Sequence, residues 1–344
     1  MTPPARGDLQ AAATLYRAWA TGIILMVVSR RGSAAAAELV FRTFRRQHRE
    51  KFLSGAAKLG LIGLPAAVLS AQYHYLSNLI GGVRVEYVRE SDRKAWIRYP
   101  PPRWMWHGTA ICGIPSDVSK AMLRGWHAEN GITLGNPRLG FVCTKQTVDG
   151  QDALEGYFLE HDRDLRPEER LRFAPGEEAP LFDPVAAPRL PEALWSPDRR
   201  DKAARNYAME YVRSILPELL ALFGAAEARF LGGRAAYLVG LQYGEELKAA
   251  LGVAGDDARS FAEFFVRMAR AQGDDPSVAT EGRDITIRQP GWRLMRGVDG
   301  DVVAEFSMWN ALWEGCLAAH HRALRWQIRT APENAESAVA WRLR

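Results

Sequence analysis

The stretch Arg93-Lys94-Ala95-Trp96-Ile97-Arg98-Tyr99-Pro100 returns later in the chain as Arg283-Asp284-Ile285-Thr286-Ile287-Arg288-Gln289-Pro290. Both copies alternate polar and apolar side chains and stop at proline, the pattern of a strand with one buried face. The offset persists past the proline, where Arg103 falls on Arg293, Met105 on Met295, Ala121 on Ala311 and Gly125 on Gly315. One ungapped register through a strand, a loop and the following helix predicts two copies of one module. A spacing this long means paired domains and not a solenoid.

Outward from the first copy, Ala11 to Ser29 and Ala34 to Leu59 read as helices. The second carries Leu39, Phe41, Phe44 and Phe52 on one side and Arg42, Arg45, Arg46 and Arg49 elsewhere. Gly60 suits the closing position of that helix. Ala66 to Leu79 is a third helix, ended by Gly81-Gly82. Val83 to Val88 and Lys94 to Tyr99 form a strand pair across polar Glu90-Ser91-Asp92-Arg93. Thr109 to Gly113 resumes an apolar run, and Ser116 to Glu129 reads as a helix capped by Ser116 or Asp117. Arg138 to Lys145 and Ala153 to Leu159 are strands around the turn Val148-Asp149-Gly150.

The second copy repeats this order: helices over Asn206 to Phe223, Glu227 to Leu251 and Ala258 to Ala271, with final strands at Leu324 to Arg329 and Ala338 to Leu343 after a small shift. Between the copies, Pro167, Pro175, Pro180, Pro184, Pro188, Pro191 and Pro197 alternate with acids and arginines, as in a surface strap. The expected fold is α+β: two tandem related modules, each a helical part followed by a small, mostly antiparallel sheet with a crossing helix. The expected boundaries are 1–162 for the first module, 163–202 for the strap and 203–344 for the second, degenerate module.

The bulk properties narrow the function. A chain of 344 residues with 47% apolar and 25% charged content is ordinary globular protein. The net charge of +5 is dispersed and accompanies no nucleic-acid signature, so no nucleic-acid partner is expected. Cys112, Cys143 and Cys316 are too scattered for a disulfide framework or a zinc knuckle, and a reducing cytoplasm is the default. Trp19 to Ser29 has the apolarity of a signal-peptide core, but Arg30-Arg31 are poor flanks for cleavage. Leu59 to Val83 is long enough for a membrane span but holds Gln72, His74, Ser77, Asn78 and Pro65, which favours a buried amphipathic helix. Neither is expected to span a membrane.

Candidate chemistry gathers at Trp126-His127-Ala128-Glu129-Asn130, a predicted helix end with Gly131 suited to the left-handed closing position. His127 suits general acid–base work near neutral pH, Glu129 can orient it or a water, and Asn130 can bind a developing oxyanion. The plainer alternative is that His127 and Asn130 cap helix-end carbonyls. The second module has Cys316-Leu317-Ala318-Ala319 at this place, so chemistry is expected in the first module alone. Arg138 can hold a substrate carboxylate through its fork of donors, or sit in a surface ion pair. Cys112 is a cysteine candidate, though its apolar surroundings suit a buried inert thiol. Of Asp152 and Glu155, one can face inward. Trp104 and Trp126, with five further tryptophans at related places in the two modules, suggest an aromatic-lined cavity or a Trp-rich core. His320-His321 make a poor metal pair because neighbours on a helix point to different faces. No P-loop, dinucleotide fingerprint, HExxH or nucleophile elbow occurs, so ATP-driven, dinucleotide and common zinc-hydrolase chemistries are disfavoured; no metal ligand is singled out, and the cofactor is left open.

From Cys112 to Phe158 the chain resembles the L-2-amino-thiazoline-4-carboxylic acid hydrolase-like family. The likeness rests on a helix after a short Cys-bearing strand, on Arg138-Leu139-Gly140-Phe141, and on the closing Gly150-Gln151-Asp152-Ala153-Leu154-Glu155-Gly156-Tyr157-Phe158. It implies an α+β fold and hydrolysis of a small cyclic amidine-like substrate. Members tend to carry a cysteine in that closing stretch, where this chain has Ala153 or Leu154, and another at the helix end, where it has Trp126. Two functions are therefore expected. One is a small-molecule hydrolase or related lyase acting on a cyclic amidine or amide-like substrate with a carboxylate. The other is a non-catalytic ligand-binding or sensor protein with a Trp-lined apolar cavity between the modules.

Overall fold

A computed structural model describes residues 4–103, 105–190 and 193–344. The chain divides into two compact units, one of Val27–Ala204 and one of Met1–Met26 with Arg205–Arg344, called here the first and second unit. Among the described residues there are eight helices and two sheets, one of five strands and mixed, the other of four strands and antiparallel. The α+β class is as expected.

In the first unit, α2 (Ser33–Lys58) and α3 (Ala66–Ile80) precede the hairpin of β1 (Glu86–Arg89) and β2 (Lys94–Tyr99). Then come α4 (Ser116–Gly125), α5 (Asn130–Thr133), β3 (Leu139–Lys145), β4 (Leu154–Glu160) and β5 (Leu171–Phe173). The sheet order is β1-β2-β4-β3-β5, antiparallel except for β5, which runs parallel to β3. Alternation sorts the side chains. Ala95, Ile97, Phe141 and Phe158 are buried on one face, and α3 packs on β2 and β4. Trp96, Val142 and Tyr157 form a cluster on the other, packed against Ala174 and Ala179. The part of the proline-rich segment from Leu171 to Ala179 is thus a cover, held by β5, by Lys145–Glu178 at 2.5 Å and by the Ala179 amide donating to Glu155.

The second unit begins with α1 (Arg6–Arg31) as far as Met26. It resumes in α6 (Pro197–Ala250), which is broken at Gly224, where φ is 74°. It continues through α7 (Ala258–Gln272), β6 (Ser277–Glu281), β7 (Asp284–Gln289), α8 (Val302–His320), β8 (Trp326–Thr330) and β9 (Val339–Leu343). Its sheet order is β6-β7-β9-β8. Of the described helices, α1 is the one long and apolar enough to cross a membrane. Its Tyr16 hydroxyl donates to Gln272, and its Trp19 indole donates to the Gly232 carbonyl at 3.2 Å.

The two sheets share details beyond strand order. From the pairs Phe141↔Phe158 and Trp326↔Leu343 onward, the β3–β4 and β8–β9 pairings each slip by one residue at the same step, between Cys143 and Lys145 and between Ile328 and Thr330. Gly125 of α4 lies against the backbone of Phe41 and Arg45 on α2, while Gly315 of α8 lies against that of Tyr237 and Leu241 on α6. In both, the crossing glycine meets positions one helical turn apart, and a methyl group there would strike a carbonyl oxygen.

Several local expectations change. The helix from Ser116 stops at Gly125, because Trp126 (φ −110°, ψ −67°) leaves the helical path, and His127–Glu129 form a separate 3-10 turn. Pro115 occupies the cap, while the Ser116 hydroxyl donates to Asp149 at 3.1 Å. Gly131 is not left-handed but sits inside α5, where a Cβ would come within 2.6 Å of the Leu139 carbonyl oxygen. The left-handed residue is Gly135 (φ 69°). Gly108–Gly113 is a 3-10 turn and not a strand, so Cys112 is exposed where a buried thiol was expected.

Candidate functional site

Three histidines meet in the core of the first unit. His48 lies on the buried side of α2, one turn from Phe44 and one from Phe52, and its ring stacks on Phe52 at 4.9 Å. His74 comes from α3, its Nδ1 3.3 Å from the Tyr99 hydroxyl of β2. His127 enters from the 3-10 turn and stacks on His74, with centroids 4.1 Å apart and planes 13° apart. Phe158 of β4 lies beside both rings, Phe141 of β3 lies 4.6 Å from His127, and Trp126 meets His48 edge-on at 5.6 Å.

Burial sets the protonation. It drives His48 down to about 4, with the Arg45 guanidinium adding to the effect. It drives His74 to about 3, helped by His48, and puts His127 well below the usual histidine range, helped by His74, His48 and Arg103. All three rings are therefore neutral at pH 7. A neutral imidazole offers one N–H donor and one lone pair. Neither ring nitrogen of His127 has a hydrogen-bond partner, and His48 and Asn130 have only each other, in a side-chain contact outside normal hydrogen-bond geometry that favours the protonated His48 ring. Asn130 is fully buried and stands next to His48. Each such buried polar group costs roughly 1–3 kcal/mol, and native proteins carry few without a water or ligand to complete them.

The residues singled out in the sequence divide. His127 and Asn130 are in this cluster, and Trp126 forms part of its wall. Glu129 is turned to other partners, with 2.7 Å to Arg45 and 3.6 Å to Arg170, so it is an ion-paired carboxylate and not the orienter of His127. Arg138 is on the surface, paired with Glu160 at 2.6 Å. Cys112 is on an exposed turn, and Trp104 lies outside the described residues. Glu155 does face inward, accepting from Thr144 at 2.8 Å and lying 3.3 Å from the Arg98 guanidinium, but it anchors the cover segment.

His48 and His74 were missed as site residues. His48 has the core-facing spacing of Phe44 and Phe52, and a histidine in that register is a buried imidazole. His74 sits between Tyr73 and Tyr75 in an otherwise apolar helix. A strained residue lies close by: Trp106 has φ of 60°, and the Arg103 guanidinium sits 5.3 Å over its ring. Backbone strain in a bulky residue gathers at functional sites.

The second unit has an arrangement that resembles a catalytic triad by composition. His320 Nδ1 lies 3.3 Å from Glu245, and its Nε2 lies 3.4 Å from the Ser260 hydroxyl. However, Nδ1 accepts from the Lys248 ammonium at 2.8 Å, and Nε2 faces the Asp257 carbonyl at 2.9 Å, to which it must donate. That tautomer cannot take a proton from Ser260, so the group is a structural clamp. Among the described residues, no group of three or more His, Cys, Asp or Glu side chains is placed to hold a metal ion.

The chain matches no protein-family model, no curated protein and no solved structure.

Proposed function

We propose that the first unit binds a small polar molecule at His48, His127 and Asn130, with His74 as the stacked support. One observation carries this reading. Three side chains are buried in an aromatic core where, beyond the contact between His48 and Asn130, their polar atoms have no hydrogen-bond partner, although the surrounding fold could have filled those places with apolar groups. The reading requires solvent to reach the imidazoles. In ¹⁵N-histidine-labelled protein, the ring N–H of His48 and His127 should exchange with water far faster than the core of β3 and β4. Exchange that waits for global unfolding would sink the idea.

A second reading, hydrolysis of a cyclic amidine or amide-like substrate or a related elimination, places its chemistry at the same cluster. It is favoured by a base that is unprotonated at neutral pH sharing its burial with an amide donor, His127 with Asn130. It predicts a loss of roughly 10²–10⁴-fold in turnover for His127→Gln. Binding without any turnover would leave the first reading standing alone.

We also infer that the two units are copies from an ancient duplication, with the site kept in the first. The common strand order, the bulge at the same step and the matching glycine crossings support it. In the second copy, the places of Trp126, His127 and Glu129 hold Cys316, Leu317 and Ala319. The burial of Tyr16 and Trp19 supports α1 as a core helix and not a membrane span.

A further inference from the structure

The loop from α2 to α3 and the loop from α6 to α7 close their helices in the same way. Each helix ends on a left-handed glycine, Gly60 (φ 71°) or Gly252 (φ 70°), whose amide donates back to the carbonyl of Ala57 or Ala249. The next residue, Leu61 or Val253, is buried, and its amide donates to Ala56 or Lys248, which satisfies the helix-end carbonyls. A second left-handed glycine stands two residues further on, Gly63 (φ 98°) or Gly255 (φ 95°). The residues on either side of it differ. In the second unit they are Ala254 and Asp256, both exposed, as suits a solvated loop. In the first unit they are Ile62, 59% exposed, and Leu64, 36% exposed. The backbone therefore does not require apolar side chains at these places, and their presence in the first unit calls for another cause.

The apolar surface continues onto the last turns of α2. Leu53, 46% exposed, lies one turn after Arg49 and one before Ala57, so the three share an exposed face. Arg49 and Lys58 are exposed and, among the described residues, neither is in an ion pair. No acid occurs from Lys51 to Val85, and Glu50 just before is paired with Arg46 at 3.0 Å. Apolar side chains on a fixed turn, flanked by unpaired cations, complement a bilayer: the acyl boundary takes the first and negative headgroups attract the second. We propose that this end of the first unit seats the protein on the surface of an anionic lipid bilayer, with Ile62 and Leu64 entering the acyl boundary and Arg49 and Lys58 among the headgroups. The attachment is peripheral and reversible, because the apolar area is small. Leu181 and Val185 of the proline-rich segment are more exposed still, but Glu177, Glu178 and Asp183 accompany them, and an anionic surface repels that segment.

The test is co-sedimentation of the full chain with vesicles of phosphatidylcholine alone and of phosphatidylcholine with about one-third phosphatidylserine. The chain should pellet with the second kind far more than with the first, and about 0.5 M salt should release much of it. The double variant Ile62→Ala, Leu64→Asp carries the side chains that the second unit already holds on the same turn, so it should fold, and its partitioning should fall by about a hundredfold or more. Lys58→Gln should lower partitioning by about fivefold. Leu181→Ser should leave it unchanged. Absence of pelleting with both kinds of vesicle overturns the proposal, as does equal binding to both, or a double variant that partitions like the unaltered chain. A dimer seen by sedimentation velocity without lipid, and lost in the double variant, would make a second copy of the chain the occupant and overturn the bilayer.

Discussion

The two units bury aromatic rings between helix and sheet, but they treat the polar edges of those rings differently. In the second unit Trp309, Trp313, Trp326 and Trp341 surround Phe265 with centroids 4.8–6.3 Å away. There Asn310 accepts from the indoles of Trp326 and Trp341 at 3.0 Å each, and the Tyr16 hydroxyl accepts from Trp309. Trp292 and Trp313 are its exceptions. In the first unit the rings include His48, His74 and His127; His127 has no satisfied nitrogen, and His48 has only its contact with Asn130. One core is arranged for packing with most of its N–H groups answered. The other keeps hydrogen-bonding capacity unused in its interior, which stability alone does not explain.

The contrast is broken or sharpened first by acid. Below pH 6.5 an unfolded chain protonates its histidines, whereas the folded first unit resists until about 4 at His48 and about 3 at His74. Unfolding then takes up protons, so the first unit should lose about 1.4 kcal/mol per pH unit per histidine across that window, several kcal/mol in all. Asp274 in the second unit works the other way. Burial raises its carboxyl from 3.8 to about 6, so its contribution to stability grows as pH falls between those values. Hydrogen exchange compared at β3–β4 and at β8–β9 should show the first pair loosening well before the second. An identical response would break the contrast.

Trp341→Ala should cost about 3–5 kcal/mol in urea unfolding, since the ring is fully buried and its removal leaves a cavity. The glycine crossings test what the units have in common: Gly125→Ala and Gly315→Ala should each destabilise by about 1–3 kcal/mol. A large cost at one and none at the other would count against the shared packing. His127→Phe should be neutral or stabilising by up to about 2 kcal/mol, because an apolar ring replaces an unanswered polar one. A loss of stability like that of Trp341→Ala would make His127 an ordinary core residue. Arg138→Ala should change stability by at most about 1 kcal/mol and leave ligand binding unaltered, as its ion pair with Glu160 is exposed.

Much of the fold was legible because periodicity reports burial. The alternation in Lys94–Tyr99 and Asp284–Gln289 marked an internal strand in each sheet, and the glycines at 125 and 315 each lie where one helix crosses another. The candidate site was only half legible. His127 and Asn130 are neighbours in sequence, but His48 and His74 reach them through tertiary packing, which no local pattern records. The direction of Glu129 was not legible, because two residues' separation from His127 does not fix it once the helix ends at Gly125; the carboxylate pairs with Arg45 and Arg170. Cys112 looked internal from its apolar neighbours, yet a 3-10 turn exposes it. The cover segment was read as a strap from its prolines, while its tie to the buried Glu155 needed the sheet to be in place.

The division of the second unit has a consequence for how the protein is made. The hydrogen-bond partner of Tyr16, Gln272, lies 256 residues downstream. At about 5–20 residues per second, the ribosome takes roughly ten to fifty seconds to deliver it. The first unit, contiguous from Val27 to Ala204, can be completed and folded in that interval. Helix α1 meanwhile has emerged without Gln272 or Gly232, showing the cell the same long apolar face that makes it resemble a membrane span. The nascent chain thus passes through a period in which a holdase or a targeting factor would find its N-terminal helix attractive, and that period closes when α6 and α7 arrive to cover it.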